Sequence, residues 1–238
     1  TQAATDEQHF LVAIVARTEG ELDTLWRSEI TMLNPSDVSQ EIRLVYYPST
    51  GEPYTATTQL APEQIFHSSD IVDELFPAAG ESTGALHVYA SPGVIIDTRT
   101  YNQLPDGGTM GQAIPGLASG DMARPGETWV LNKLKSSDGF RCNIGFAEYE
   151  GHDAEVTILL FDMSGNSRRF LGSKTYGIDA FTNSQVSRVF HDIGINGSYE
   201  EAMAYAVVTS TEGALYIYAS VVDNQEGDGT TVLAKRQE

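Results

Sequence analysis

The sequence predicts an all-β protein of two tandem immunoglobulin-like β-sandwich domains, related by internal duplication and each carrying a short helix. Three observations lead there. Runs of alternating apolar and polar residues recur about every 8–12 residues, the spacing of strands in a sandwich. Clusters of Pro, Gly, Asn, Asp and Ser separate them, as tight turns require. Finally, parts of the first half return in the second. Residues 84–91 (GALHVYAS) reappear at 213–220 (GALYIYAS), 129 positions on. Residues 27–30 (RSEI) return as 141–144 (RCNI), and 41–47 (EIRLVYY) lie over 155–161 (EVTILLF), both 114 positions on. The two offsets differ by 15, which places an insertion of that size around residues 172–199. A chain of 238 residues is long enough for two cores of about 120 residues each. The expected division is a first domain over 9–117, a linker over 118–127 (ASGDMARPGE) and a second domain over 128–237.

The elements follow in order. Residues 1–8 form a polar lead that reads as the start of a mature or trimmed chain. Residues 9–17 (HFLVAIVAR) make an apolar strand. In 26–33, Trp26, Ser28, Ile30 and Met32 share one parity, and Arg27, Glu29 and Thr31 the other, so the first set faces a core. Trp26 and Trp129 both stand near apolar strand starts and are expected inside. Asn34-Pro35-Ser36-Asp37 marks a turn, because Pro fixes φ and the polar side chains bond nearby backbone. Residues 54–60 are Thr-rich, as an exposed edge strand would be. At 69–76 (SDIVDELF) the period changes: Ser69 or Asp70 can cap a helix whose first turns carry Asp73 and Glu74. Residues 184–193 are a second helix candidate.

Composition narrows the function classes. Asp and Glu number 33 against 14 Lys and Arg, a formal charge of −19. Such a surface repels the phosphates of nucleic acid and of anionic membranes. No apolar run approaches the ~18–20 residues of a membrane span, so membrane insertion is not expected. Lysine occurs only at positions 133, 135, 174 and 235, and the sequence offers no account of that bias. Cys142 is the one cysteine; its parity with Ile144 and Phe146 makes it a core residue.

No catalytic constellation is legible. The five histidines form no HExxH, there is no Cys pair, GxSxG or Walker loop, and Gly107-Gly108 reads as a hairpin turn. Two places invite a ligand. Asp97, Arg99 and Tyr101 share a strand face and, with Gln112, offer a polar surface for a sugar or a peptide strand. Alternatively, Arg99 bridges a carboxylate and Tyr101 packs on its stem. The stretch 223–229 (DNQEGDG) groups Asp223, Glu226 and Asp228, which resemble a calcium loop in composition without the EF-hand spacing. The alternative there is a plain acidic hairpin.

Several of these motifs together resemble an uncharacterised family of exported bacterial tandem β-sandwich proteins. The likeness rests on Thr98-Arg99-Thr100-Tyr101-Asn102, on residues 108–115 (GTMGQAIP), on 141–146 (RCNIGF) and on 218–228 (YASVVDNQEGD), with the Asn34-Pro35 turn. Cys142, Ala147-Glu148 and Gly229 depart from its usual pattern. The resemblance implies a secreted or cell-surface location and a role as a surface, stalk or accessory module that meets a protein or glycan there. It implies no reaction. The expected function is therefore a non-catalytic structural or interaction module, with a carbohydrate-binding accessory domain as the alternative and a hydrolase as the weakest.

Overall fold

The computed structural model describes residues 7–20, 23–165 and 167–237. Most of the polar lead falls outside these. The chain is mostly strand, every strand pairing is antiparallel, and the residues divide into two compact units meeting between Asp121 and Met122.

The first unit contains β1 (Gln8–Glu19), β2 (Leu25–Leu33), β3 (Gln40–Pro48), β4 (Tyr54–Leu60), β5 (Ile65–Ser68), α1 (Ile71–Leu75), β6 (Ser82–Ala90), β7 (Ile95–Gln103), β8 (Thr109–Ala113) and β9 (Leu117–Ala118). Its strands run β4-β3-β6-β1-β2-β7-β8, with β5 added to β2 and β9 to β1. β1 joins the two layers. A register shift between Val12 and Val15 bends it, and its last residues, Thr18 and Glu19, pair with Trp26 and Leu25 of β2. The inward parities of β2 and β3 (Ile30, Met32, Ile42, Leu44, Tyr46) meet Val12, Val15, Leu86 and Val88 in one core. β4 is the edge strand that its threonines predict, with Thr55 and Thr57 outward. Helix α1 seals one end. Asp70 caps it by accepting the Asp73 N–H at 3.2 Å, while Ile71 and Val72 are fully buried.

The second unit contains β10 (Thr128–Ser136), β11 (Phe140–Glu148), β12 (Ala154–Asp162), β13 (Arg169–Ile178), β14 (Asn183–Val186), α2 (Val189–Asp192), β15 (Tyr199–Val208), β16 (Leu215–Asp223), β17 (Gly229–Leu233) and β18 (Lys235–Arg236). It is a sandwich of two sheets, β13-β12-β15-β10-β18 and β14-β11-β16-β17. Leu131, Val156, Ile158 and Leu160 of one sheet face Cys142, Ile144, Phe146 and Ile217 of the other across a shared core.

The pairing scheme of the first unit recurs in the second. Ile42 in β3 answers to Val156 in β12 (156 − 42 = 114), and Ile71 in α1 to Val189 in α2 (189 − 71 = 118). Val12 answers to Leu131, and the register shift after each falls at the same place. Even the left-handed turn residues Glu63 and Phe181 coincide, 118 positions apart.

These pairings correct the predicted register. GALHVYAS lies on β6, which pairs with β1 and β3, whereas GALYIYAS lies on β16, which pairs with β11 and β17. β6 answers to β15 instead, so the 129-residue offset links strands in different places. Both strands are buried on both faces, and that shared demand for apolar and small residues explains their likeness. The 15-residue insertion is accordingly absent. The hairpin from Ala154 to Ile178 is four residues longer than its counterpart from Gln40 to Leu60. Residues 184–193 also split, into β14 and a single helical turn, α2. The predicted linker is no free tether: Leu117 and Ala118 pair with β1, and Ala123 bridges Leu215.

One polar position matters equally in both units. Asn34 follows β2, has no exposed surface, and donates from its amide nitrogen to the carbonyls of Val38, Leu60 and Ala61 at 2.8–3.1 Å. At the corresponding end of β11 stands Glu148, equally buried. Its carboxylate accepts the backbone N–H groups of Glu150, Gly151, His152, Phe181 and Ala214 at 2.6–3.3 Å.

Candidate functional site: a groove along the second unit

Three of the four lysines converge on one groove. Its 650 Å³ volume is within the range of ligand clefts. The register shift between Leu131 and Leu134 creates it on one side. Both leucines point into the core, so Asn132 and Lys133 between them are extruded to solvent, and Lys133 takes a left-handed φ of 57°. Such bulges re-aim side chains where a strand runs along an edge. Lys135 leans over the Phe140 ring at 4.5 Å and reaches Glu200 at 3.7 Å. Lys235 stands opposite Val130 on β18. Among the described residues, neither Lys133 nor Lys235 forms an ion pair.

The other side of the groove is β17 and the turn before it, with Asp223, Glu226 and Asp228; Phe140, Val221 and Val232 supply apolar surface between the two sides. Both bordering strands have open edges. Among the described residues, β10 meets β18 only at Trp129 and Val130, and β17 pairs as a strand only with β16. At one end the chain crosses between the sheets, where Ala234 donates its N–H to Ile217. The matching positions of the first unit hold Ala13, Ile14, Ala16 and Leu117 where the second holds Asn132, Lys133, Lys135 and Lys235. The basic side chains are thus not a requirement of the fold.

The sequence-predicted residues fare differently. The acidic loop forms a hairpin turn. Asp223 accepts the N–H groups of Gln225 and Glu226 at 2.7 and 3.4 Å, and Gly227 supplies the positive φ. One carboxylate is therefore committed to the turn, and among the described residues no three His, Cys, Asp or Glu groups converge as a metal site. The calcium arrangement does not fit this geometry. The Asp97–Arg99–Tyr101–Gln112 surface also fails to assemble. Tyr101 is buried and donates its hydroxyl to the Ser69 carbonyl at 3.0 Å, beneath the Arg99 guanidinium. Gln112 lies opposite Thr100, so it faces the other side of the sheet from Arg99. Trp129 is buried as expected, but Trp26 is 36% exposed, because its strand end extends past the core.

The remaining reactive groups serve structure. Cys142 sits in the core, and burial pushes its thiol up to about 12. His9 and His87 share a ring-nitrogen contact of 2.8 Å; burial and then the Arg43 charge pull His9 down to about 4. The lysine groove escaped the sequence reading because its members come from β10 and β18, a hundred residues apart. The detectable signal was the concentration of lysine in one half of an acidic chain.

No protein-family model matches the chain, and no curated protein does. A crystal structure from Thermotoga maritima, that of Thermotoga maritima 1070, is similar over 46% of this chain and 92% of that chain, with 9% identity and a TM-score of 0.35.

Proposed function

We propose that the chain is a non-catalytic, extracytoplasmic structural or interaction module of two immunoglobulin-like sandwiches that arose by duplication. The matched pairing order of the two units, down to the bulge after Val12 and Leu131, supports the duplication. The observation that carries the functional reading is the groove itself. It is open and lined by exposed charges of both signs, whereas Cys142, His87, Tyr101 and Glu148 are committed to packing or backbone bonds. Such a face suits contact with another molecule and lacks a nucleophile held by a base. The bacterial cell surface, with a protein or glycan partner, remains the proposed setting. The groove itself does not favour the sugar-binding alternative, since its aromatic face, Phe140, lies beneath Lys135.

The test combines chemistry and location. Pure protein is expected to turn over no ester, peptide or glycoside substrate, and the gene product is expected in the extracytoplasmic fraction of its cells. Turnover abolished by a single side-chain substitution would overturn the non-catalytic reading; a strictly cytoplasmic product would overturn the setting.

A further inference from the structure

We propose that the chain binds a second copy of itself head to tail, an apolar row on the first unit of one copy covering an aromatic patch on the second unit of the next. The inference is independent of the groove, of the absence of turnover and of the compartment. It starts from the sheet faces that point away from the two cores. In the first unit Val45, Ala85 and His87 lie on such a face, yet all three are buried. Their counterparts in the second unit are Leu159, Met203 and Tyr205, because Leu159 pairs with Tyr205 as Val45 pairs with His87. Leu159 and Tyr205 are only half-buried. Beside them Phe170 packs against the Phe161 ring with 54% of its surface open. The other sheet reverses the pattern. β7 answers to β16, since Leu33 pairs with Ile95 as Ala147 pairs with Tyr216. Ala147 and Tyr216 have no exposed surface, whereas Ile95 is 51% exposed and Ile65, across Leu33 from it, 59%.

Each kind of face is therefore covered in one unit and left open and apolar in the other. Grouped apolar side chains on a sheet face gain by being covered. The chain leaves one face of each kind open, so two copies supply both members of a pair. Charge favours joining unlike faces. Asp97, next along the face from Ile95, and Glu63, two residues before Ile65, flank the row. The nearest arginine, Arg99, lies one step further and opposite Glu29. Arg168 flanks the patch, its guanidinium 4.7 and 5.0 Å from the Phe161 and Tyr205 rings, and it forms no ion pair among the described residues. Lys133 and Glu201, near Met203, are of opposite sign. Row on row sets Asp97 and Glu63 against their own copies, and patch on patch does the same for Arg168. A contact between unlike faces leaves one of each free, so copies add end on end or close into a ring.

The test is analytical ultracentrifugation of the whole protein over about 10–500 μM, in about 0.3 M salt to screen the repulsion between two chains of charge −19. The weight-average mass should rise with concentration above that of the monomer. I65D/I95D removes the row and R168E/F170E the patch. All four positions are exposed, and melting temperatures check that each variant is folded. Each variant alone should associate at least about tenfold more weakly. An equimolar mixture should recover a one-to-one dimer and stop there, because each variant keeps the face that the other lacks. Both variants are more acidic than the wild type, so a change in general repulsion cannot produce that recovery. I95D and R168E serve in the same mixture if a double variant unfolds. A wild-type chain that stays monomeric to the highest concentration overturns the proposal. So does undiminished association of either variant, or a mixture no heavier than its components. None of these outcomes bears on turnover or location, so the proposed function is tested separately.

Discussion

Replacing Glu148 with alanine removes one acceptor group from five backbone donors at once. The Ala214 N–H is buried, and leaving it without a partner costs about 1–3 kcal/mol. The other four bonds are partly buried, and water can reach some of their donors after the change. Because water takes over part of each bond, each keeps a net value of roughly 0.5 kcal/mol, the low end for neutral bonds and below that for bonds to a carboxylate. Together they add about 2 kcal/mol. Glu148→Ala should therefore lower the unfolding free energy by about 3–5 kcal/mol, a large part of the 5–15 kcal/mol typical of a domain. Glu148→Gln keeps one oxygen. It can still accept from Glu150 and Ala214, but its NH2 then faces the N–H groups of Gly151, His152 and Phe181. It should cost a substantial fraction of the alanine loss. Urea denaturation followed by tryptophan fluorescence and by circular dichroism measures both variants, and agreement between the probes guards against a partly unfolded state. A loss below about 1 kcal/mol for the alanine variant would refute the reasoning, because it would mean the loops hold their shape without the carboxylate.

Three further outcomes are expected. Cys142 should resist thiol reagents in the native protein and react at once in denaturant; rapid native labelling would place the thiol outside the core. Melting curves in millimolar calcium and in chelator at equal ionic strength should coincide, and a rise in melting temperature that Asp223→Ala abolishes would restore the calcium site. His9 gives a pH dependence whose sign is fixed. Its folded pKa of about 4 lies below the ordinary 6.5, so its stabilising contribution is complete above pH 6.5 and is lost as pH falls through 4. His9 packs against His87 and Tyr89 with Arg43 nearby, yet it is only partly buried, so the loss between pH 7 and 5 is about 1 kcal/mol after allowing for solvent screening. His9→Gln should flatten that part of the urea midpoint profile, and an unchanged slope would assign the effect elsewhere.

How much of this was legible in the sequence depended on the range of the interaction. Period-two parity placed Ile30, Met32, Cys142 and Ile144 in cores, and capping chemistry placed α1, because each depends on neighbours along the chain. The 114-residue match located counterpart strands correctly, since β2 and β3 follow one another without an insertion. The 129-residue match failed for a physical reason. Any strand buried on both faces selects similar residues, so β6 and β16 look alike without occupying the same place. Tyr101 misled in the same way: parity put it beside Arg99, but only the packed structure shows its hydroxyl reaching Ser69. The lysine groove depends on contacts across the unit and on a bulge, neither of which leaves a local periodic trace. Glu148 was hidden because a glutamate at a strand end ordinarily faces water.

Asn34 and Glu148 have a further consequence for assembly. Adjacent units with the same strand order are at risk of exchanging segments while they fold, because a strand from one can present the right parity to the other. Hydrophobic pattern alone cannot tell such strands apart. Polarity at the strand end can. In its own unit Asn34 points N–H groups at three carbonyl oxygens, whereas Glu148 points oxygens at five N–H groups. If β11 lodged where β2 belongs, a buried carboxylate would face carbonyl oxygens with no proton between them. The reverse exchange would leave the single amide oxygen of Asn34 where the second unit presents five backbone N–H groups. Each misplacement leaves buried polar groups without matching partners, so the two strand ends disfavour an exchange that their apolar faces would permit.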